Sequence, residues 1–315
     1  MIRIPSAPVY VAALTHPGMA GKQNEDRFAV SSYRLSEDDP IPSVFAIVSD
    51  GIGGHRAGEV AAEMAVETIS HMVAQSDARQ PLEIMDHAIQ VTSDAIASKA
   101  SDDAQRLGMG TTCACAWIIG NQLFTASVGD SRIYLLRNGG LLQLTVDHTW
   151  VQEAVEKGLL QPEDAHNHPN VHVIRRYLGS PKTPQADTRM RLATDESDTQ
   201  SRSHQGLRLL PGDLLLLCSD GLTDVVADDE IEPAVRNLEL QLAAHALVDL
   251  ACARQGRDNI TVVLILVPQE LVEAVKKKSK FWPLALWGLV ALLLLAISMA
   301  GFVWAIFHFV LPPIS

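Results

Sequence analysis

Two apolar runs in this sequence end in Ser-Asp-Gly: "VFAIVSDGIGGHRAGE" at Val44 to Glu59 and "LLLLCSDGLTDVV" at Leu214 to Val226. Asp50 precedes Gly51, and Asp220 precedes Gly221. Asp258 stands before Asn259 and a last apolar run, Asp130 lies in "SVGDSR", and Glu25 and Asp26 lie in "KQNEDRF". Any one of these carboxylates alone reads as a turn or cap residue. Together they form an oxygen-only donor set with no histidine or cysteine cluster beside it. Such a set suits Mg²⁺ or Mn²⁺, which keep several waters and prefer octahedral geometry. Glycine beside an aspartate also lets a backbone carbonyl approach a cation. The expectation is that the two Ser-Asp-Gly junctions hand their carboxylates to one metal centre.

Those residues need elements to position them. "VFAIVSD" is a short apolar run closed by turn residues, so a buried strand. From Arg56 to Ala74, Val60, Met64, Ile69, Met72 and Val73 recur at helical spacing. Leu82 to Ala100 reads as a second helix, with Ile84, Ala88, Val91 and Ala95 on one face. Strands follow in "TTCACAWII", "QLFTASVGD", "SRIYLLRNG" and "LLQLT", with hairpin turns at Gly120-Asn121 and Asn138-Gly139-Gly140. A less regular stretch runs from His148 to Ser180. Helices are expected over Asp228 to Arg236 and Leu238 to Arg254, before a final strand, "NITVVLILV". Consecutive hairpins with helices in separate blocks describe an α+β fold with antiparallel sheets. Residues 8–268 read as one domain without a low-complexity linker.

The formal net charge of −12 disfavours a bulk electrostatic grip on nucleic acid, and no basic patch accompanies the motifs that a nuclease would use. None of the four cysteines forms a CxxC pair, so they read as core thiols in a reducing compartment. "GIGGHRAGE" lacks the Gly-Lys-Ser/Thr of a phosphate-binding loop for nucleotides. Ser127, Ser131 and Ser219 fit no nucleophile-elbow pattern. His166, His168 and His172 in "EDAHNHPNVHVI" are read as a solvated flap in preference to a metal site.

In this order the motifs resemble the metal-dependent protein phosphatases of the protein phosphatase 2C family, in their bacterial form. The matches are "NED" at Asn24, "DGIGGHRAGE" at Asp50, "MGTT" at Met109, "VGDSRIY" at Val128, "DHT" at Asp147, "VIRRYLGS" at Val173, "GDLLLLCSDGLTD" at Gly212 and "RDNITVVLI" at Arg257. The resemblance implies a two-sheet β-sandwich flanked by helices, a four-layer α-β-β-α arrangement, with two Mn²⁺ or Mg²⁺ ions at one end. By the family pattern Asp50 bridges the ions and the Gly51 carbonyl binds one. Asp220 and Asp258 hold the other, Glu25 and Asp26 act mostly through water, and Asp130 joins a third, weaker ion in some members. A hydroxide between the metals would attack the phosphorus of phosphoserine or phosphothreonine on proteins, with no phosphoenzyme. Phosphoproteins are then the substrates, and a Ser/Thr protein kinase acting on the same proteins is the expected counterpart.

Two positions depart from that pattern. Gly21 stands where many relatives carry a phosphate-binding arginine, which leaves Lys22 as the candidate phosphate contact. Ile52 stands where eukaryotic members often have a histidine proposed as the leaving-group acid; bacterial relatives also lack it. A catalytically silent module that binds phosphoproteins is the alternative reading that Gly21 favours. Against it, buried carboxylates without a metal would repel one another.

Residues 281–310, "FWPLALWGLVALLLLAISMAGFVWAIFHFV", contain no Asp, Glu, Lys or Arg. That length is enough to span a bilayer. Trp282 and Trp287 near one end, with Trp304 and Phe307 near the other, match interfacial belts. Lys276, Lys277, Lys278 and Lys280 precede it in a basic segment, 269–280, and the tail 311–315 is uncharged. The expectation is a single-pass anchor in the cell membrane with the preceding domain cytoplasmic.

Overall fold

A computed structural model describes residues 1–53, 57–165, 168–193, 195–271 and 298–300. In chain order its strands are β1 (Ile2–Arg3), β2 (Tyr10–His16), β3 (Arg27–Arg34), β4 (Pro42–Ser49), β5 (Gly51–Ile52), β6 (Gly110–Thr111), β7 (Cys113–Ile119), β8 (Gln122–Val128), β9 (Arg132–Arg137), β10 (Gly140–Gln143), β11 (Leu207–Arg208), β12 (Leu214–Cys218) and β13 (Ile260–Leu266). The helices are α1 (Ala57–Gln75), α2 (Pro81–Ser101), α3 (Trp150–Glu156), α4 (Pro162–Ala165), α5 (Asp198–Ser203), α6 (Asp220–Thr223), α7 (Asp228–Asn237) and α8 (Leu240–Ala253). Met1–Leu271 forms one compact unit.

Two antiparallel sheets carry the unit. One has the order β1-β3-β4-β7-β8-β11, and the other β10-β9-β12-β13-β2. Contacts between β7 and β9, and between β4 and β12, place them face to face. β4 shows why the sequence runs without alternation: Phe45 and Ile47 pack under α1 and α2, while Val44, Ala46 and Val48 are equally buried on the opposite face. A strand covered on both faces has no polar side to show. In the second sheet Leu214, Leu216 and Cys218 of β12 pack with α7 and α8. The layers are therefore helix, sheet, sheet, helix.

Antiparallel pairing fixes where the acidic residues fall. Ser49 at the end of β4 pairs with Arg27 at the start of β3, which sets Asp50 beside Glu25 and Asp26. Cys218 at the end of β12 pairs with Val262 near the start of β13 and with Arg132 at the start of β9. That brings Asp220, Asp258 and Asp130 to one end of the second sheet. The turn geometry expected at Asn138-Gly139 is present, with φ of +51° and +79°.

The expected faces of the first two helices need correction. The buried face of α2 is Met85, Ala88, Ile89, Thr92, Ser93, Ile96 and Ala100, whereas Val91 is 39% exposed and Ala95 is also exposed. Two polar residues take the inner face because both have partners there. Thr92 Oγ1 donates to Ala88 O at 2.6 Å, and Ser93 Oγ accepts from Gly179 N at 3.0 Å. On α1 the innermost residues include Ala57, Ala61, Ala62 and Ala65, and the larger Val60, Met64 and Met72 lie at its margins. The stretch after His148, expected to be less regular, contains the short helices α3 and α4. Apart from 298–300, the apolar segment 281–310 lies outside the described residues. Among the described residues no helix is long and apolar enough to cross a membrane.

Candidate active site

A cleft of about 1080 Å³ opens at the end of the sandwich where these strand ends meet. Lys22, Glu25, Asp50, Gly51, Asp220 and Asp258 all line it. Within it Asp50 and Asp220 are near enough to act on one another electrostatically, so the two Ser-Asp-Gly junctions converge. Asp26 lies behind this floor, buried, and Asp130 lines an adjoining cavity of about 230 Å³ that also reaches Asp220. Lys22 Nζ lies 4.0 Å from Asp258 Oδ1. Gly21 has φ of +69° and open space where a Cβ would stand.

Glycine is required where the backbones meet. A Cβ on Gly51 would lie 2.5 Å from the Gly58 backbone and 2.8 Å from Glu25 O. A Cβ on Gly221 would lie 2.1 Å from Asn259 O. Only a Cα without a Cβ lets the strand ends approach this closely.

Polar residues outside the acidic set hold it in place. Thr111 Oγ1 and Thr112 N both donate to Asp50 O, at 2.7 and 2.9 Å, and Asp50 N donates to Thr112 Oγ1 at 2.9 Å. Thr112 Oγ1 also pairs with Ser131 Oγ at 2.7 Å, next to Asp130. The "MGTT" motif is thus a clamp on the Asp50 backbone. Asn259 joins the two loops that flank the cleft: its Oδ1 accepts from Glu25 N at 2.7 Å, and its Nδ2 donates to Pro17 O and Gln23 O. Ser219 and Thr261 each donate to Asp26 Oδ2 at 2.7 Å. Thr112→Val, which keeps the shape and removes the hydroxyl, is expected to cost about 1–3 kcal/mol. It should also lower turnover roughly tenfold by loosening Asp50; thermal melts and steady-state rates check the two effects.

Electrostatics distinguish this end of the molecule from an ordinary surface. Burial, reinforced by the neighbouring carboxylates, pushes Asp50, Asp130 and Asp220 above the usual carboxylate range. Burial likewise pushes Asp26 up to about 7, against the two hydroxyl donors. Asp26 Oδ1, Asp130 Oδ1 and Asp220 Oδ1 are buried with no hydrogen-bond partner. Buried carboxylate oxygens left without donors fit a hard divalent cation. Among the described residues no three His, Cys, Asp or Glu side chains form a finished cage around one point.

Several site residues escaped the sequence reading. His172 lines both cavities and pairs with Asp224, with Nδ1 to Oδ2 at 3.2 Å. Burial and Asp220 push Asp224 up to about 7. His168 instead stacks on Trp150 at 4.7 Å, and His166 lies outside the described residues. In the "DHT" motif, Asp147 takes a bidentate bond from Arg132, and Thr149 caps α3 through Gln152 N. His148 Nδ1 accepts from Gly129 N at 3.0 Å, beside Asp130. Asp–Gly adjacency after an apolar run was the signal for Asp50 and Asp220. These other residues carry no such local mark, because their partners are distant in sequence.

Comparison with known proteins gives consistent matches. The model of a family described as Protein phosphatase 2C matches residues 19–252. The serine/threonine protein phosphatase PstP of Mycobacterium tuberculosis is 35% identical over 254 residues, 80% of this chain and 44% of that protein. The chain thus spans somewhat under half the length of that relative. The serine/threonine phosphatase stp of Listeria monocytogenes is 36% identical over 256 residues, 80% of this chain and 93% of that protein. The crystal structure of the M. tuberculosis PstP/Ppp phosphatase superposes with a TM-score of 0.69 at 34% identity, covering 83% of this chain and 99% of that one. The catalytic domain of PstP in complex with two manganese ions gives 0.67 at 33% identity, covering 83% and 99%.

Proposed function

The chain belongs to the protein phosphatase 2C family, and from that premise we propose that it is a metal-dependent protein serine/threonine phosphatase. The observation that carries the reading is the meeting of Asp50 and Asp220 on the floor of an open cleft, among buried carboxylate oxygens that lack donors. Asp50, the Gly51 carbonyl, Asp220 and Asp258 would hold two Mn²⁺ or Mg²⁺ ions. Glu25 and Asp26 support them, and Asp130 offers a place for a third. When bound, such ions supply a water acidic enough to attack phosphorus and positive charge for the phosphoryl oxygens.

The protein's own residues do the rest. Thr111 and Thr112 fix the Asp50 backbone, and Ser219 and Thr261 fix Asp26, so the carboxylates need no rearrangement during reaction. The cleft's breadth admits a phosphorylated side chain from a protein surface. Lys22, at its rim, provides a cation for the phosphate in place of the absent arginine at Gly21. Lysine lacks the bidentate fork, so its contribution is that of an exposed point charge. Lys22→Ala is expected to raise KM for a phosphothreonine peptide about three- to tenfold with kcat nearly unchanged, a loss of about 1 kcal/mol.

The test of the activity is phosphate release from a phosphothreonine peptide by the full chain, with Mn²⁺ and with chelator. Mn²⁺-dependent release supports the reading. A chain stabilised by Mn²⁺ that releases no phosphate from a panel of phosphopeptides would be a phosphoprotein-binding module instead. The charge-free segment 281–310 behind a run of lysines supports a single-pass anchor, with the phosphatase unit on the cytoplasmic side. Anchoring would raise the effective concentration of membrane-proximal phosphoproteins, the products of a Ser/Thr kinase. Membrane fractionation of the full chain against a chain ending at Leu271 tests it. Loss of the membrane pool on truncation is the expected result.

A further inference from the structure

Cleavage of a seryl or threonyl phosphate leaves an alkoxide that must take up a proton. Ile52 lines the cleft and has none to give. His172 lines that cleft and the adjoining cavity, and its side chain is 64% exposed to them and to solvent. Its Nδ1 is occupied by Asp224 Oδ2 at 3.2 Å, while Nε2 has no protein partner among the described residues. Asp224 is itself tied to the floor of the site, since its backbone N donates to Asp220 O at 2.8 Å. The segment bearing His172 is anchored on both sides. Trp150 N donates to Val173 O at 2.8 Å, Arg175 N donates to His148 O at 2.7 Å, and Val171 N donates to His168 O at 3.0 Å. A carboxylate holding one ring nitrogen fixes the ring and aims the other nitrogen.

We propose that His172 is the general acid that protonates the departing seryl or threonyl oxygen, with Asp224 as the residue that positions it. The proposal rests on the phosphatase reading. In the step, a water oxygen forms the new bond to phosphorus and its proton passes to solvent. The electron pair of the breaking P–Oγ bond takes the proton from His172 Nε2, and the ring recovers a proton from solvent before the next turnover.

The experiment uses the full chain with Mn²⁺ and two substrates, a phosphothreonine peptide and p-nitrophenyl phosphate, whose phenolate leaves without protonation. His172→Gln is expected to lower kcat on the peptide by about 10²-fold. Turnover of p-nitrophenyl phosphate should stay within about twofold, because the lost group acts only on a basic leaving oxygen. Asp224→Asn should show the same substrate-dependent loss at roughly tenfold. An unchanged melting temperature for His172→Gln separates this signature from misfolding, which would depress both substrates. Equal losses on both substrates, or none on either, overturn the proposal. So does the same signature appearing in His55→Asn and not in His172→Gln. If the wild-type chain hydrolyses neither substrate, the phosphatase reading fails and this one with it. Wild-type turnover of both with a flat response to His172→Gln sinks the acid assignment alone.

Discussion

Asp50→Asn is expected to abolish metal-dependent turnover and, at the same time, to raise the melting temperature of the metal-free chain. The two effects have one cause. Asp50 is half-buried and faces Asp26, Asp130 and Asp220 across the floor of the cleft. All four carboxylates are held above their usual range, first by burial; Asp26 and Asp220 then raise Asp50, and Asp258 raises Asp220 against the lowering effect of Asp50. A folded-state pKa above the unfolded value means that the native state holds protons the unfolded state has released. Stability is then greatest below the unfolded value near pH 4 and falls as pH rises toward the folded value, about 7 for Asp26. The metal-free chain should therefore melt higher at pH 5 than at pH 7.5, and Mn²⁺ should reverse that order. An asparagine at position 50 removes one charge and donates an amide hydrogen to Asp220. That is worth about 1–2 kcal/mol, or roughly 3–6 °C, in the metal-free chain at pH 7.5. Mn²⁺ at a hundredfold over its dissociation constant would add about 2.7 kcal/mol to the wild type, and this increment should be missing in the variant. Turnover should drop by about 10³-fold or more. Melts with and without Mn²⁺, beside rate measurements, check all of this. Retained turnover, or a metal-free chain destabilised by the substitution, would remove the metal centre from Asp50.

The convergence of Asp50 and Asp220 was legible because each sits where an apolar strand meets a glycine, a mark written within a few residues. The strands were legible for a related reason: β4 from Val44 to Val48, and all of β12, are apolar because both their faces are covered. Helix faces were less so. On α1 the residues nearest the sheet are alanines and Gly58, whose small size permits the close contact with Gly51. A reading that weights bulk picks the larger side chains at the margin. On α2, Thr92 and Ser93 spoil the apolar period from the inside, and their satisfaction depends on partners that include Gly179 from a remote loop. His172 shows the same limit at the site itself. Among three histidines in one polar stretch, nothing local singles it out. Its role emerges from Asp224, which reaches it only through the folding of α6 against that stretch. Asn259 and Thr112 were visible as motif letters, yet their work is to hold other backbones, which only the folded chain displays.

Arg189→Ala is expected to be the most damaging single substitution outside the cleft. Arg189 and Asp187 are both buried, with side chains 7% and 4% exposed. The guanidinium bonds Asp187 Oδ2 through Nε at 2.8 Å and reaches Glu156 and Asp198 at 3.1 Å each. Asp187 Oδ1 also accepts from Arg189 N at 2.9 Å, and its Oδ2 lies 3.1 Å from His148 Nε2. His148 Nδ1 accepts from Gly129 N, so Nε2 carries the hydrogen and the ring bonds Asp187 as a neutral donor. These donors outweigh burial and hold the Asp187 carboxyl below the usual carboxylate range. A depressed value contributes stability above the unfolded pKa near 4, lost only as pH falls further. Removing the guanidinium strands a buried carboxylate, a loss of about 3–5 kcal/mol and on the order of 10 °C at pH 7. Arg189→Lys keeps the charge without the fork and should fall between. Arg189→Met with Asp187→Asn removes both charges and should recover most of the stability, because the stranded charge, and not the missing bond, dominates the cost. The same chain of contacts reaches the site, since His148 holds Gly129 next to Asp130. Arg189→Ala should therefore lower turnover at temperatures well below its melting point, and the double variant should restore it in part. A melting temperature within about 3 °C of wild type would show that Glu156 and Asp198 leave Arg189 with little to do for Asp187.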